Sequence, residues 1–265
     1  MQNLTYGVDV ARYQSAIDWK LALSMGKRFC VAKASDGLRD AADPMFAAHR
    51  AGSKAAGLVF GSYHFFRFDI DPIKQAENFI RVTGGVLPGE LPLTLDVEWD
   101  NKSANTGYHD GGRIDEVGAQ KALICLGYLE EKTGMTPIIY TSNGFFTGLK
   151  KPEAFARFIP WIASYTSFEK IRTPKPWSKP VFWQYSDDEK ISGVDAIDGD
   201  AFLGTFEELQ KLTSKLNIMK PEFDFSEPNV KMVQIAMNAV GVYPKLDVDG
   251  VFGPKTRAAL IEVAK

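Results

Sequence analysis

Cysteine and histidine are scarce in this chain, with two of the first and three of the second among 265 residues. Cys30 and Cys125 lie too far apart to suggest a disulfide framework, and each reads as a small buried hydrophobe, one in a strand and one in a helix. No Cys/His cluster has the spacing of a zinc site, so no metal or cofactor is expected. Basic runs are also missing. With Lys and Arg scattered and a net charge of −2, nothing favours nucleic acid or an anionic membrane as a partner. No segment approaches the roughly 20 apolar residues of a transmembrane helix. Met1-Gln2-Asn3-Leu4-Thr5-Tyr6 lacks a basic stretch followed by an apolar one, so no secretory signal is expected and folding in a reducing cytoplasm is.

What remains is an ordinary globular composition, 45% hydrophobic and 24% charged, long enough for one large domain or a medium one with a small appendage. Short apolar, β-branched runs predict strands at Thr5–Val10, Phe29–Ala34, Leu58–His64, Leu91–Trp99 and Pro137–Thr141. Helical spacing falls between them, near Ser15–Met25, Pro44–Ala56, Ile73–Val82 and Ile114–Thr133, with Gly57 and Gly134 where helix-ending glycines belong. Three more strand-like runs follow with little room for helices: Phe158–Tyr165, Pro180–Ser186 and a short one around Ala196–Ile197. The expected fold is α/β, an irregular TIM-like barrel of about five βα units and then three strands, over residues 1–213. A helix near Thr205–Leu216 leads into a polar, proline-bracketed linker over residues 214–228, and residues 229–265 read as a small helical module. Its Asp247-Val248-Asp249-Gly250 turn hints at a calcium loop, but Lys245 and Thr256 stand where an EF-hand needs acids. That hint fails.

The densest chemistry lies in Leu93-Thr94-Leu95-Asp96-Val97-Glu98-Trp99. Residues i and i+2 of a strand share a face, so Asp96 and Glu98 emerge side by side while Leu95 and Val97 pack the other way. Burial and like charge each raise a carboxyl pKa, so one of the pair can hold a proton at neutral pH, as acid-catalysed cleavage of a glycosidic bond requires. Asp187-Asp188-Glu189 has the same D-x-E spacing but sits in a polar stretch, read here as a turn with solvated acids. Asp9 and Asp198 close the first and last strands; each alone reads equally as a cap of the following turn. In a closed barrel, strand ends meet at one mouth, which makes all four a shared acidic site.

Several separated motifs resemble the family 25 glycoside hydrolases, the muramidases of phages and bacteria. They are Gly7-Val8-Asp9-Val10 with Gln14 and Ile17-Asp18-Trp19, then Phe29 to Gly37, Asp43-Pro44, and Gly61-Ser62-Tyr63-His64-Phe65. Leu95-Asp96-Val97-Glu98 resembles the catalytic signature, and Pro137 to Thr141, Trp161 to Tyr165, Trp183 to Ser186 and Asp198 complete the series. The family usually has Asn two places after that last aspartate; here it is Asp200, expected to add negative charge near the mouth. The resemblance implies hydrolysis of the β-1,4 bond between N-acetylmuramic acid and N-acetylglucosamine in bacterial peptidoglycan. Glu98 would be the general acid, Asp96 would orient the substrate, and Asp9 and Asp198 would position it and keep Glu98 protonated. Tyr63, Tyr140, Trp183 and Gln184 are the matched positions placed in the groove. Lys33, a cation in an apolar strand, is added as a site residue that needs a carboxylate partner. His64 should face away from the groove as a structural histidine.

The tail resembles a small peptidoglycan-binding module through Val233-Gln234, Asp249 to Pro254, Thr256 and Ala259-Leu260. From Lys220 onward it carries six basic and six acidic residues, so charge attraction to the wall is not its anchor. The whole reads as a monomeric endolysin held in the host cytoplasm until release onto the cell wall. A non-catalytic glycan-binding barrel and a chitinase-like hydrolase stay open as alternatives. A metal-dependent phosphoesterase lacks a basic phosphate cradle.

Overall fold

The computed structural model describes residues 3–15, 17–39, 42–99, 115–150, 152–191 and 194–214, together with 231, 234, 235, 238, 245–251, 255 and 256. The chain divides into two compact units, Met1–Ile218 and Met219–Lys265. The expected linker, apart from its first residue, lies outside the described residues.

The first unit is a closed barrel of eight strands in sequence order: β1 (Thr5–Val10), β2 (Phe29–Asp36), β3 (Val59–Phe65), β4 (Thr94–Asp96), β5 (Ile138–Ser142), β6 (Ile159–Ala163), β7 (Phe182–Ile191) and β8 (Val194–Phe202). Neighbours from β1 to β7 run parallel, and β8 runs antiparallel to both β7 and β1. Helices follow the first five strands: α1 (Trp19–Ser24), α2 (Phe46–Ala55), α3 (Pro72–Thr83), α4 (Glu116–Thr133) and the short α5 (Asn143–Gly148). Five βα units and three further strands are what the spacing predicts.

Local chemistry sets the helix ends. Asp18 accepts from the backbone N–H groups of Lys20 and Leu21, and Asp71 from those of Ile73 and Lys74, so each covers otherwise unpaired donors of the first turn. Gly134 ends α4 in the left-handed region, at φ 67°, which a side chain would disfavour. One apolar layer, including Val8, Cys30, Phe60, Leu95, Cys125, Leu126 and Ile139, lies between barrel and helices. A second fills the barrel interior, where Phe29 and Phe202 both pack against Phe182. Burying each such ring contributes about 1.5–3 kcal/mol. At Gly7 a Cβ would stand 2.5 Å from the Phe29 ring, so glycine is what lets the ring lie across the barrel floor. The sixth helix, α6 (Phe206–Lys211), starts in a capping box between Thr205 and Glu208 and adds Leu209 to this floor.

Three sequence expectations need correction. β4 is three residues long rather than nine, because its ladder is limited to the overlap with β3 and β5. β8 is nine residues long rather than a short run around Ala196–Ile197. Asp187-Asp188-Glu189 is strand and not turn: β7 continues through it, pairing with β8. Asp187 and Asp188 are exposed as expected, but Glu189 pairs with the buried Lys27, whose Nζ also donates to Tyr185 Oη at 3.1 Å.

In the second unit, Gln234 is buried. Its Nε2 donates to Asp249 Oδ1 (2.7 Å), Val251 O (3.1 Å) and Thr256 Oγ1 (3.1 Å), and its Oε1 accepts from Gly250 N (3.0 Å). One side chain thus ties the Asp249-Gly250 turn, with Gly250 at φ 77°, to the helical residues Gln234 and Thr256. Asp249 is engaged in that knot, not presented to an ion.

Candidate active site

The C-terminal ends of the parallel strands surround an open pocket of about 330 Å³, lined by Asp9, Tyr63, Asp96, Glu98, Tyr140, Trp161, Gln184 and Asp198. Alternation explains how they meet. Asp9 lies two residues beyond Gly7 on the inward face of β1, and Tyr63 stands likewise beyond Gly61 on β3. Asp96 ends β4, and Glu98 follows just past it. Because β8 is reversed, Asp198 comes to the mouth near the strand's start and pairs directly with Asp9.

Gln184 is the hub of the polar network. Its Nε2 donates to Asp9 Oδ2 at 2.7 Å, and its Oε1 accepts from Tyr140 Oη at 2.9 Å and Tyr165 Oη at 3.0 Å. The two hydroxyls fix which end of the amide is the acceptor, so the N–H must point at Asp9. Tyr140 also meets the Trp161 ring edge-on, with centroids 5.0 Å apart.

The four carboxyls that line the pocket all resist ionisation. Asp9 is raised well above the usual carboxylate range by burial and then by Asp198 opposite it. Asp96 is raised in the same way by burial and then by Glu98, and its Oδ1 is buried without a donor among the described residues. Burial pushes Glu98 up to about 7, with Lys33 opposing and Asp198 adding to the shift. Asp198 rises to about 6 through burial, against a hydrogen bond from Asp9. At neutral pH this mouth therefore stores protons rather than bare charge.

Two expected groove residues lie elsewhere. Trp183 is one strand position from Gln184 and so faces the other side of β7, where its Nε1 donates to Ser164 O at 2.7 Å and its ring packs on Phe168 and Tyr185. Lys33 does not line the pocket; its Nζ lies 3.3 Å from Asp36 Oδ2 and 4.8 Å from the Phe65 ring centre. Its charge still reaches Asp96 and Glu98, lowering both pKa values. His64 faces away, as expected: it is buried, lies 2.8 Å from Ser35 Oγ and stacks on Phe79, and burial holds its pKa down to about 4. Asp200 is not at the mouth but beneath it, fully buried, with Oδ1 accepting from Trp161 Nε1 at 2.8 Å. Trp161 is the lining residue that the sequence reading left out. Its register beside Tyr140 on the neighbouring strand is the signal that places it on the same face.

A closed βα barrel whose mouth gathers proton-holding carboxyls with aromatic and amide side chains defines an enzyme working by acid–base chemistry on a polar substrate. Residues 8–194 match the glycosyl hydrolases family 25, and the chain belongs to that family. It is 30% identical to the uncharacterized protein YegX of Escherichia coli over 212 residues, 77% of this chain and 72% of that one. It is 28% identical to the autolytic lysozyme of Clostridium acetobutylicum over 255 residues, 96% of this chain and 71% of that one. The structure of a family 25 glycosyl hydrolase from Bacillus anthracis superposes with a TM-score of 0.66 at 29% identity, covering 78% of this chain and 92% of that one. The protein is thus a glycoside hydrolase of the lysozyme class.

Proposed function

We propose that this enzyme is an N-acetylmuramidase that cuts the β-1,4 bond between N-acetylmuramic acid and N-acetylglucosamine in bacterial peptidoglycan, with Glu98 as its general acid. The observation that carries the reading is the state of Glu98, a carboxyl open to the pocket whose pKa is raised to about 7. Below that pH it holds a proton for the glycosidic oxygen, which leaves as a hydroxyl while Glu98 becomes a carboxylate.

Asp96 lies deeper, and its unpartnered Oδ1 suits the N–H of a substrate 2-acetamido group. Held there, the acetamido oxygen attacks the anomeric carbon as the leaving group departs. Water then opens the resulting ring, giving one proton back to Glu98. Asp9 and Asp198 keep charge scarce around Glu98 and hold the sugar through their hydrogen bonds. The faces of Tyr63, Tyr140 and Trp161 supply apolar contact for the C–H faces of the sugar ring. The autolytic lysozyme among the relatives supports peptidoglycan as the polymer, and a monomer needs no further residue to complete this site. We read the biological role as that of an endolysin, with the second unit binding the wall while the barrel cuts.

Digestion of metal-stripped peptidoglycan by wild type and Glu98→Gln, followed by mass spectrometry of the released ends, tests the reading. Reducing N-acetylmuramic acid ends from wild type alone are expected. Reducing N-acetylglucosamine ends would make the enzyme a glucosaminidase. Binding to the wall without cleavage by either protein would leave a glycan-binding barrel.

A further inference from the structure

Asp200 lies outside the pocket lining, yet it is the most enclosed acid of the group. On β8 it sits one inward position below Asp198, beside Gly7 of β1 and Gln184 of β7 in the ladder. It is 0% exposed. One oxygen accepts the indole N–H of Trp161 on β6, and the other, Oδ2, has no donor among the described residues. The titratable groups that face it are Asp9 of β1, Asp198 of its own strand, Tyr185 of β7 and Cys30 of β2. No lysine or arginine among the described residues pairs with it. A buried carboxylate with one donor, no cation and acids for neighbours is an unfavourable arrangement; a neutral carboxylic acid in the same place is a favourable one. As an acid, its second oxygen becomes a donor, and Asp9 is within hydrogen-bonding reach to accept.

We propose that Asp200 is a positioning residue that works as a neutral acid, fixed by Trp161 on one oxygen and donating its proton to Asp9 from the other. Asp9 then receives two donors, Gln184 from the side and Asp200 from below, and its carboxyl is held facing Asp198 across the mouth. The ligand-binding end of the barrel thus rests on a proton stored out of reach of substrate. The proposal rests on the muramidase reading only for what Asp9 does, not for the state of Asp200. Burial, then the charge of Asp9, raises the pKa of Asp200 well above the ordinary range, in the direction this requires.

Two measurements on the full-length protein test it. The first is unfolding by denaturant at a series of pH values. Between about pH 5 and pH 7 the unfolded chain has released the Asp200 proton and the folded one has not, so the folding constant of wild type falls about tenfold more steeply per pH unit than that of Asp200→Asn. Parallel curves would show that Asp200 is ionised in the fold and would overturn the proposal. The second is hydrolysis of peptidoglycan. Asp200→Leu, of similar size without a donor, is expected to lose kcat/KM by on the order of tenfold. Asp200→Asn offers an oxygen to Trp161 and an N–H to Asp9, and is expected to rescue most of that loss. An Asn variant as poor as the Leu variant would mean that negative charge is what the site needs. The unfolding comparison involves no substrate, so an inactive wild type would sink the muramidase reading and leave Asp200 still decided.

Discussion

Gln184 and Asp9 stand on strands at opposite ends of the chain, and the 2.7 Å hydrogen bond between them joins the first strand to the seventh directly above the barrel core. Tyr140 and Tyr165 hold the other end of the same amide. Gln184→Leu removes the donor to Asp9 and leaves two hydroxyls without their acceptor. The expected cost is on the order of 2 kcal/mol of stability, read from denaturant midpoints, together with loss of activity.

The basic limb of the pH profile belongs to Glu98. Activity is expected to decline as pH rises through about 7, where the acid loses its proton. The positive charge of Lys33 favours the ionised form and so lowers that pKa. Lys33→Met is therefore expected to move the basic limb upward, by about half a pH unit at this separation. A downward shift in kcat/KM against pH would contradict the placement of Lys33.

Stability should respond to pH in two opposite ways. Burial alone would raise Asp36, but the paired hydrogen bonds of Arg67, at 2.6 and 2.9 Å, and the charge of Lys33 bring it down to about 2. A depressed pKa stabilises the fold above the unfolded value near 4 and loses that effect as pH falls toward 2. Arg67→Met should thus cost on the order of 1–2 kcal/mol at neutral pH, after allowance for solvent, and almost nothing at the acid end. The raised mouth acids act with the other sign: their contribution is complete below about pH 4 and fades as pH climbs toward 6 and 7. Denaturant unfolding of wild type and variant at several pH values separates the two.

Gly7→Ala forces a methyl group against the Phe29 ring, where 2.5 Å is far inside contact distance. The expected destabilisation is about 1–3 kcal/mol. Phe29→Leu combined with it should recover part of that loss, a non-additivity that thermal or denaturant unfolding of the double variant would reveal.

The barrel and most of its acidic mouth are legible in the chain because helix caps, glycines and apolar strands all point one way. The misreadings cluster where function or double burial disturbs the pattern. Leu91 to Val97 is apolar and buried throughout, so periodicity cannot separate the three-residue strand from the buried coil beside it. β8 escapes notice because its inward positions are acids and its centre is Gly199, leaving no apolar alternation to see. Trp183 looks like a sugar platform by composition, and only the parity set by Gln184 shows that it faces outward. Asp200 differs again: its residue type is plain, but whether it lies in water or beneath the mouth depends on the depth of β8 in the barrel, which pairing alone supplies.

The reversal of β8 also settles where the chain leaves the barrel. A parallel eighth strand would deliver the chain at the acidic end. Here Phe202 pairs with Thr5 at the opposite end, and the Thr5 hydroxyl donates to Gly204 O at 2.9 Å. The exit is by the floor, under Phe29 and Phe182. Whatever is fused to, trimmed from or evolved onto the chain after Ser214 is thus tethered at the face away from the acids, so the catalytic end and the carboxy-terminal attachment can change independently.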